Sequence, residues 1–250
     1  MQRHRFDFTV LDETDTYLVV DKPAPLQIHP SKPRDAGLTL WDGLRHLLCF
    51  ELSNGGQISI INRLDRETSG LVLVAKTSAT ARRFGKAMLR RQIHKSYLAL
   101  VHGWPAWEDL TEMSPILRAG DVQDSPIYVK QIVHENGQAC HSEFRVRQRF
   151  EHRGEPFALV EATPHSGRMH QLRVHLSHNG HPVVGDKLYG TDETLYLAIV
   201  GQGWTAELAS KLLMPRQALH SHQLKLEDEY GTLSWSAPLP QDMSDFIIQG

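Results

Sequence analysis

The chain has 250 residues, of which 40% are hydrophobic, with 27 lysines and arginines against 29 aspartates and glutamates. This length can bury a full core without disulfide bonds, in one large domain or two small lobes. The formal net charge of -2 argues against a general nucleic-acid coat, so a globular enzyme with local positive patches is favoured.

Neither the cysteines nor the apolar segments point to secretion or to a membrane. Cys49 and Cys140 are spaced for neither a zinc knuckle nor a redox pair, which favours reduced thiols. Residues 1–7 lack the apolar core of a signal peptide, and no later stretch is long and apolar enough to span a bilayer. We therefore expect a cytoplasmic protein without membrane attachment.

The first elements in chain order are a strand, a loop rich in proline and a helix. The strand, Tyr17–Lys22, should stop at Pro23, which cannot donate to a ladder. The helix is predicted over 39–50, with Thr39 as its cap. Its buried side should carry the leucines spaced by three or four residues, namely Leu40, Leu44, Leu47 and Leu48.

A carboxylate between two arginines follows. Residues 61–70 read Ile-Asn-Arg-Leu-Asp-Arg-Glu-Thr-Ser-Gly, and the apolar run Leu71–Ala75 predicts a buried strand. A second strand is expected around Ile58–Ile61, so Asp65 should lie on a tight connection between two rigid elements, where scaffolds usually carry chemistry. These residues alone also allow an ordinary surface ion pair.

A basic helix is predicted from Ser78, with Phe84, Met88 and Leu89 toward the core. The positive side chains of this region would face solvent; they are Arg82, Arg83, Lys86, Arg90, Arg91 and Lys95. Such a patch could follow an RNA backbone, although a solvated helix face is the more common meaning.

The middle of the chain predicts an antiparallel sheet. Residues 94–103 alternate as a strand, in which Tyr97 would ordinarily be a half-buried core aromatic. Residues 104–125 look irregular, and three strands over 127–133, 139–150 and 157–163 predict a meander. The order of elements indicates an α+β fold with a mixed, largely antiparallel sheet and flanking helices.

The last informative stretch runs from Thr163 to Leu176 and predicts a helix ending before Gly180. Its histidines do not have the spacing of the metalloprotease pattern, so we expect no metal and assign His165, His170 and His175 to packing or RNA contact. Arg173, directed inward from this helix, would need a buried anion, and Asp65 is the candidate.

Three of these stretches resemble the signatures of the RluA-type pseudouridine synthases. They are Arg-Leu-Asp-x-x-Thr-Ser-Gly at 63–70, Lys-x-Tyr-x-Ala-x-Val-x-Gly at 95–103, and Gly-Arg-x-His-Gln-Leu-Arg-Val-His-Leu at 167–176. Lys22-Pro23 is similar to a further motif of the family. The chain departs from the family at Asn62, where histidine is usual, and we expect the catalytic part alone, without the small RNA-binding domain of many relatives.

The resemblance implies a pseudouridine synthase fold over 1–250 as a single domain, with an RNA cleft across the sheet. Asp65 would be the nucleophile, Arg173 would keep it ionised, and Tyr97 would line the uracil pocket. The residues expected to contact substrate are Asn62, Arg63, Leu64, Lys95, Arg168, His170 and Gln171. The expected partner is ribosomal or transfer RNA, bound by a monomer that uses no metal and no cofactor.

Two other classes stay open on the sequence. A catalytically idle RNA-binding protein on the same scaffold would keep the basic helix and tolerate loss of Asp65. A carboxylate-dependent hydrolase would need a second acidic group near Asp65, and Glu67 is the close one.

Overall fold

A computed structural model describes residues 8–190, 192 and 194–248. Residues 1–7, expected to contain no signal peptide, lie outside this range. The strands are β1 (Thr9–Glu13), β2 (Tyr17–Lys22), β3 (Ser59–Ile60), β4 (Ser69–Ala75), β5 (Ile93–His102), β6 (Asp109–Glu112), β7 (Ile116–Arg118), β8 (Gln131–Val133), β9 (Ser142–His152), β10 (Glu155–Pro164), β11 (Leu219–Asp228) and β12 (Gly231–Ser236). The α-helices are α1 (Leu40–Leu47), α2 (Cys49–Ser53), α3 (Ser78–Leu89), α4 (Gln171–His178), α5 (Thr194–Gln202), α6 (Ala206–Leu212) and α7 (Gln241–Ile248).

The chain divides into two compact units. The first unit comprises the described parts of Met1–Lys95 and His220–Pro238, and the second those of Ser96–Leu219 and Leu239–Gly250. Each unit combines β-pairing with helices, which confirms the α+β class. Among the described residues, no helix has the length and apolar content needed to cross a membrane.

The first unit is built around β4, all seven residues of which are buried. β4 pairs antiparallel with β2 and β3, and in parallel with β11, which pairs antiparallel with β12. Helix α3 contributes Phe84 to the core that covers Leu71 and Leu73. The predicted buried run and basic helix are thus both confirmed, and they form one hydrophobic layer.

The second unit contains the predicted antiparallel pairing of β9 with β10, and β10 also pairs with β5. Two expectations were wrong here. The region 104–125 is not irregular throughout, because it contains β6 and β7. β8 leaves the meander and pairs with β7 in a separate two-stranded sheet.

Helix boundaries account for the remaining differences. Thr39 caps α1 as predicted, since its hydroxyl accepts from the Asp42 amide. Leu47 and Leu89, both expected in the core, are exposed by 44% and 85%, and each is the last residue of its helix. Helix α4 begins only at Gln171, because His170 has a left-handed backbone with φ of 58°.

Gly70 permits the parallel contact between β4 and β11. Its φ is +110°, and a β-carbon at this position would overlap the backbone of Ser221. We expect Gly70→Ala to lower the free energy of unfolding by about 2 kcal/mol or more, through strain and displacement of β11. Urea denaturation of the purified variant measures this change.

Gly85→Ala is the matched control, since Gly85 lies inside α3 of the same unit and a β-carbon there meets nothing within 4 Å. This replacement should stabilise the protein by roughly 0.5–1 kcal/mol, the helix-interior difference between glycine and alanine. Equal unfolding midpoints for the two variants would contradict the role assigned to Gly70.

Candidate active site

Asp65 lies on the connection between β3 and β4, in the first unit, and its side chain is half-buried. The Thr68 amide donates to the Asp65 carbonyl at 3.1 Å, which closes the turn. Leu64 is buried, whereas the flanking Arg63 and Arg66 are exposed. The turn therefore holds the half-buried Asp65 between two arginines that are exposed.

Lys22, at the end of β2, anchors this turn through a hydrogen bond to its backbone. Its side chain is fully buried, and Nζ donates to the carbonyls of Pro23, Leu26 and Arg66 at 3.0, 2.9 and 3.3 Å. The Leu26 amide also donates to the Arg66 carbonyl, at 2.9 Å. A buried ammonium needs such acceptors, so it ties the proline-rich loop to the residue after Asp65. Sequence reasoning assigned Lys22 no site role, although its Lys-Pro motif was the available signal.

Asn62 fixes the other side of the turn. Its buried amide donates to the Leu71 carbonyl at 2.9 Å and accepts from the Leu73 amide at 2.8 Å. An amide suits this place because it carries a donor and an acceptor together. The structure thus gives Asn62 a positioning role, and its expected contact with substrate stays a prediction.

Two other basic groups of the first unit, His29 and Lys95, have lowered pKa values. Burial, with a smaller contribution from the Arg63 charge, lowers the pKa of His29, whose ring lies 5.4 Å from that of Trp41. Burial also lowers the pKa of Lys95, another expected substrate contact. Arg63 thus lies where its charge acts on a histidine at the surface of the first unit.

In the second unit, Tyr97 is buried on β5, opposite Ala162 of β10. This burial fits a core aromatic and also fits the wall of a pocket. Its role in binding uracil stays a prediction.

Arg173, on α4, is buried and bound to a carboxylate, as its inward direction required. That carboxylate is Asp186, with Nε to Oδ2 at 2.6 Å and Nη2 to Oδ1 at 2.9 Å. The guanidinium also lies 4.9 Å from the centre of the Tyr189 ring. Pairing of Arg173 with Asp65 stays a prediction, whereas sequence reasoning had given Asp186 no separate role.

Asp186 is held ionised within this network. Its burial acts to raise the pKa, but the Arg173 charge and hydrogen bonds from the Leu188 and Tyr189 amides outweigh burial and lower it. The Tyr189 hydroxyl lies 2.7 Å from Nδ1 of His170. Tyr189 therefore links the Arg173–Asp186 ion pair to His170, the residue just before α4.

The loop before α4 is fixed mainly by Gln171. Its Nε2 donates to the His141 carbonyl and the Ser142 hydroxyl at 2.9 and 2.8 Å. Its Oε1 accepts from the Ser166 hydroxyl and the Arg168 amide at 2.9 and 3.1 Å. Arg168 itself is exposed. Gln171 thus shapes the loop, and the expected substrate contacts of Arg168, His170 and Gln171 stay predictions.

The histidines of this region differ in environment. His175 is fully buried, with Nδ1 2.9 Å from the Ser142 hydroxyl and Nε2 3.0 Å from the Ser114 carbonyl, so its packing role is confirmed. Among the described residues, His141, Glu143 and His165 form the group whose atoms are close enough to hold a metal ion. Sequence reasoning missed this group because the two histidines are far apart in the sequence, His141 just before β9 and His165 just after β10.

Comparison with known proteins gives concordant results. The family model described as RNA pseudouridylate synthase matches residues 16–178. A protein of Nitrosomonas europaea named ribosomal large subunit pseudouridine synthase D is 33% identical over 98% of this chain and 66% of its own length. A protein of the same name from Pseudomonas aeruginosa is 32% identical over 94% and 69%. The chain thus spans about two thirds of the length of these curated relatives.

Solved structures agree on the fold. Human RNA pseudouridylate synthase domain containing 1 has a TM-score of 0.71 at 25% identity, covering 93% of this chain and 84% of that one. Human RNA pseudouridylate synthase domain containing 4 has a TM-score of 0.73 at 24% identity, covering 96% and 92%. The second likeness concerns the fold alone.

The Arg173–Asp186 pair should be essential for stability of the second unit. We expect Asp186→Asn to lower the free energy of unfolding by roughly 3–5 kcal/mol, since it removes the carboxylate that accepts two hydrogen bonds from a buried guanidinium. Asp109→Asn is the control, because Asp109 pairs with Arg145 on the surface, where both side chains are more than half exposed. That change should cost about 1 kcal/mol or less. Urea denaturation at neutral pH compares the two, and similar losses would contradict this assignment.

Proposed function

The chain belongs to the RNA pseudouridylate synthase family, and we propose that it isomerises uridine to pseudouridine in ribosomal RNA of the large subunit. The family rests on the match over residues 16–178 and on relatives about a third identical over nearly the whole chain. The choice of ribosomal over transfer RNA rests on the names of the two bacterial relatives. We further propose that the chain acts as one catalytic domain, a monomer in the cytoplasm.

The observation that carries the mechanism is the anchoring of the Asp65 turn from both sides, by Lys22 and by Asn62. In our proposal, Asp65 attacks the target nucleoside, and the bond between the uracil nitrogen and the ribose breaks. The uracil rotates and a carbon of its ring bonds to the ribose; that carbon gives up its hydrogen as a proton to solvent, the freed ring nitrogen gains a proton, and the carboxylate leaves unchanged. The atoms of the product equal those of the substrate, so the reaction consumes no oxidant, metal or nucleotide cofactor.

The other predicted site residues have separate parts in this proposal. The basic side chains of α3 would follow the RNA backbone. Tyr97 would contact the uracil, and Arg173 would favour the ionised form of Asp65. An adjacent guanidinium typically lowers a carboxylate pKa by ~1–3 units, which keeps a nucleophile charged at neutral pH.

Asp65→Asn tests the nucleophile. We expect turnover on ribosomal RNA to fall by about 10⁴-fold or more, the order of loss that follows removal of an enzyme nucleophile. RNA affinity and the unfolding midpoint should stay close to those of the unchanged protein, since the amide has the same shape. Single-turnover release of tritium from uracil-labelled RNA measures the rate.

Glu67→Gln is the matched control, because it neutralises the other carboxylate of the same turn. One carboxylate suffices for this isomerisation, so this variant should retain most of the activity. Full activity of Asp65→Asn would reject the assignment, and equal loss in both variants would favour a two-carboxylate mechanism.

We propose a separate role for Arg63, in stabilising RNA from which the target uridine has been flipped out. A stacked uridine must leave its helix before an aspartate can reach it, at a cost of a few kcal/mol that is smaller for an unpaired base. Arg63 is exposed and has a flat guanidinium that can stack on the bases left behind. We therefore expect Arg63→Ala to slow reaction on a structured stem-loop much more than on a flexible strand carrying the same target.

Arg66→Ala controls for lost charge, since Arg66 is an exposed arginine of the same turn, and it should slow both RNAs alike. Arg173→Lys keeps the buried charge opposite Asp186, and it should also lower the reaction rate on both RNAs equally. The measurement is the single-turnover rate at fixed salt, because backbone contacts make affinity depend on salt. Equal losses on the two RNAs for Arg63→Ala would reject the stacking role proposed for Arg63.

A further inference from the structure

Strand register brings two histidines and a glutamate to one side of β9 and β10. Ser142 pairs with Pro164 at the end of the ladder, and one residue further the His165 amide donates to the His141 carbonyl at 2.9 Å. Glu143 is two residues after His141, and side chains at i and i+2 of a strand share a face. His165 is therefore the cross-strand neighbour of His141 and the diagonal neighbour of Glu143.

The side chains converge as this register requires. The two imidazole rings are stacked, with centroids 4.3 Å apart and an angle of 24° between their planes. Nε2 of His165 lies 3.1 Å from Oε2 of Glu143, and Nε2 of His141 lies 3.6 Å from Oε1. Both Nε2 atoms are shielded from solvent and make no hydrogen bond. Two nitrogens with lone pairs available thus face one carboxylate.

We propose that His141, Glu143 and His165 bind a divalent transition-metal ion, Zn²⁺, with water completing the coordination. Neighbouring ligand atoms of tetrahedral zinc lie ~3.3 Å apart when the bonds are ~2.0–2.1 Å long. The two nitrogen-to-oxygen distances, 3.1 and 3.6 Å, bracket that value. Two imidazoles and a carboxylate form a donor set that zinc accepts readily.

The backbone around this zinc site is already fixed. The His141 amide donates to the Ser166 hydroxyl at 3.0 Å, and the His141 carbonyl accepts from Gln171 at 2.9 Å. Zinc would therefore tie the start of β9 to the loop that carries Arg168. The ion would stabilise that loop, and it would take no part in the chemistry assigned to Asp65.

An ordinary ion pair between Glu143 and one protonated histidine is the competing explanation. In that case Glu143 pairs with one imidazole only, and the three side chains do not act together as ligands. Zinc differs because it requires both imidazoles neutral and all three ligands together. Metal titration of single variants therefore separates the two explanations.

The experiment uses the full chain without a histidine tag, stripped with EDTA and desalted, then titrated with ZnCl₂ against a chromophoric chelator. We expect one zinc ion per chain, since the described part of the chain contains one such group, His141, Glu143 and His165. Zinc should also raise the thermal unfolding midpoint, because a ligand that binds the folded state stabilises it. Absence of zinc binding to the stripped protein would overturn the proposal.

His141→Ala, His165→Ala and Glu143→Gln should each weaken zinc binding by roughly tenfold or more, as loss of even an outer partner of a metal ligand can do. Glu143→Gln is decisive if a histidine variant fails to fold, because the Glu143 side chain is half exposed. His94→Ala is the control, since His94 faces Glu227 at 3.4 Å on the surface of the first unit, outside the zinc site. Equal zinc affinity in Glu143→Gln and His94→Ala would overturn the site.

Activity provides an independent readout. Stripped and zinc-loaded protein should isomerise RNA at the same single-turnover rate. Loss of activity on stripping that zinc restores would overturn the structural role given to the ion, while leaving its binding site in place. Loss of activity in both forms would bear on the proposed function instead.

Discussion

A positive charge removed from water needs oxygen atoms around it, and one such charge in each unit fixes a segment on which the proposed chemistry depends. Lys22 is fully buried, and its ammonium reaches the carbonyl of Arg66, the residue after Asp65. Arg173 is buried in the second unit and donates hydrogen bonds to Asp186 from two nitrogens. Desolvating an ion costs several kcal/mol, so each cation is tolerated only while its acceptors stay in place. The rigidity of these segments follows from that requirement.

The apolar parts of the fold were predictable because their patterns are local. Leu71–Ala75 is an unbroken apolar run, and it became the strand on which the first unit is built. The start of α3 near Ser78 was predicted, but the exposure of Leu89 was not, since periodicity cannot tell where a helix leaves the core. The partner of β8 is a tertiary choice between strands of similar propensity, so the place of this strand in the predicted meander was wrong, whereas the pairing of β9 with β10 was correct.

The site was predictable in its motifs and less so in its contacts. The sequence indicated that Arg173 required a buried anion, but several carboxylates could have met that demand, and Asp186 becomes identifiable only when α4 and its following turn are folded. The burial of Lys22 was not predicted, since lysines are usually exposed. His141, Glu143 and His165 depend on the register between β9 and β10, and a shift of one residue would point their side chains to different faces.

Asn62 shows how a departure from a motif can leave local geometry intact. An imidazole offers one donor and one acceptor, and a primary amide offers both on a shorter side chain. Here the amide spans the Leu71 carbonyl and the Leu73 amide, groups two residues apart on β4. The backbone groups thereby satisfied are buried, and leaving one of them unpaired would cost about 1–3 kcal/mol. The place before Arg63 thus requires a side chain with both functions within reach of β4, and Asn62 meets that requirement while holding the turn that carries Asp65.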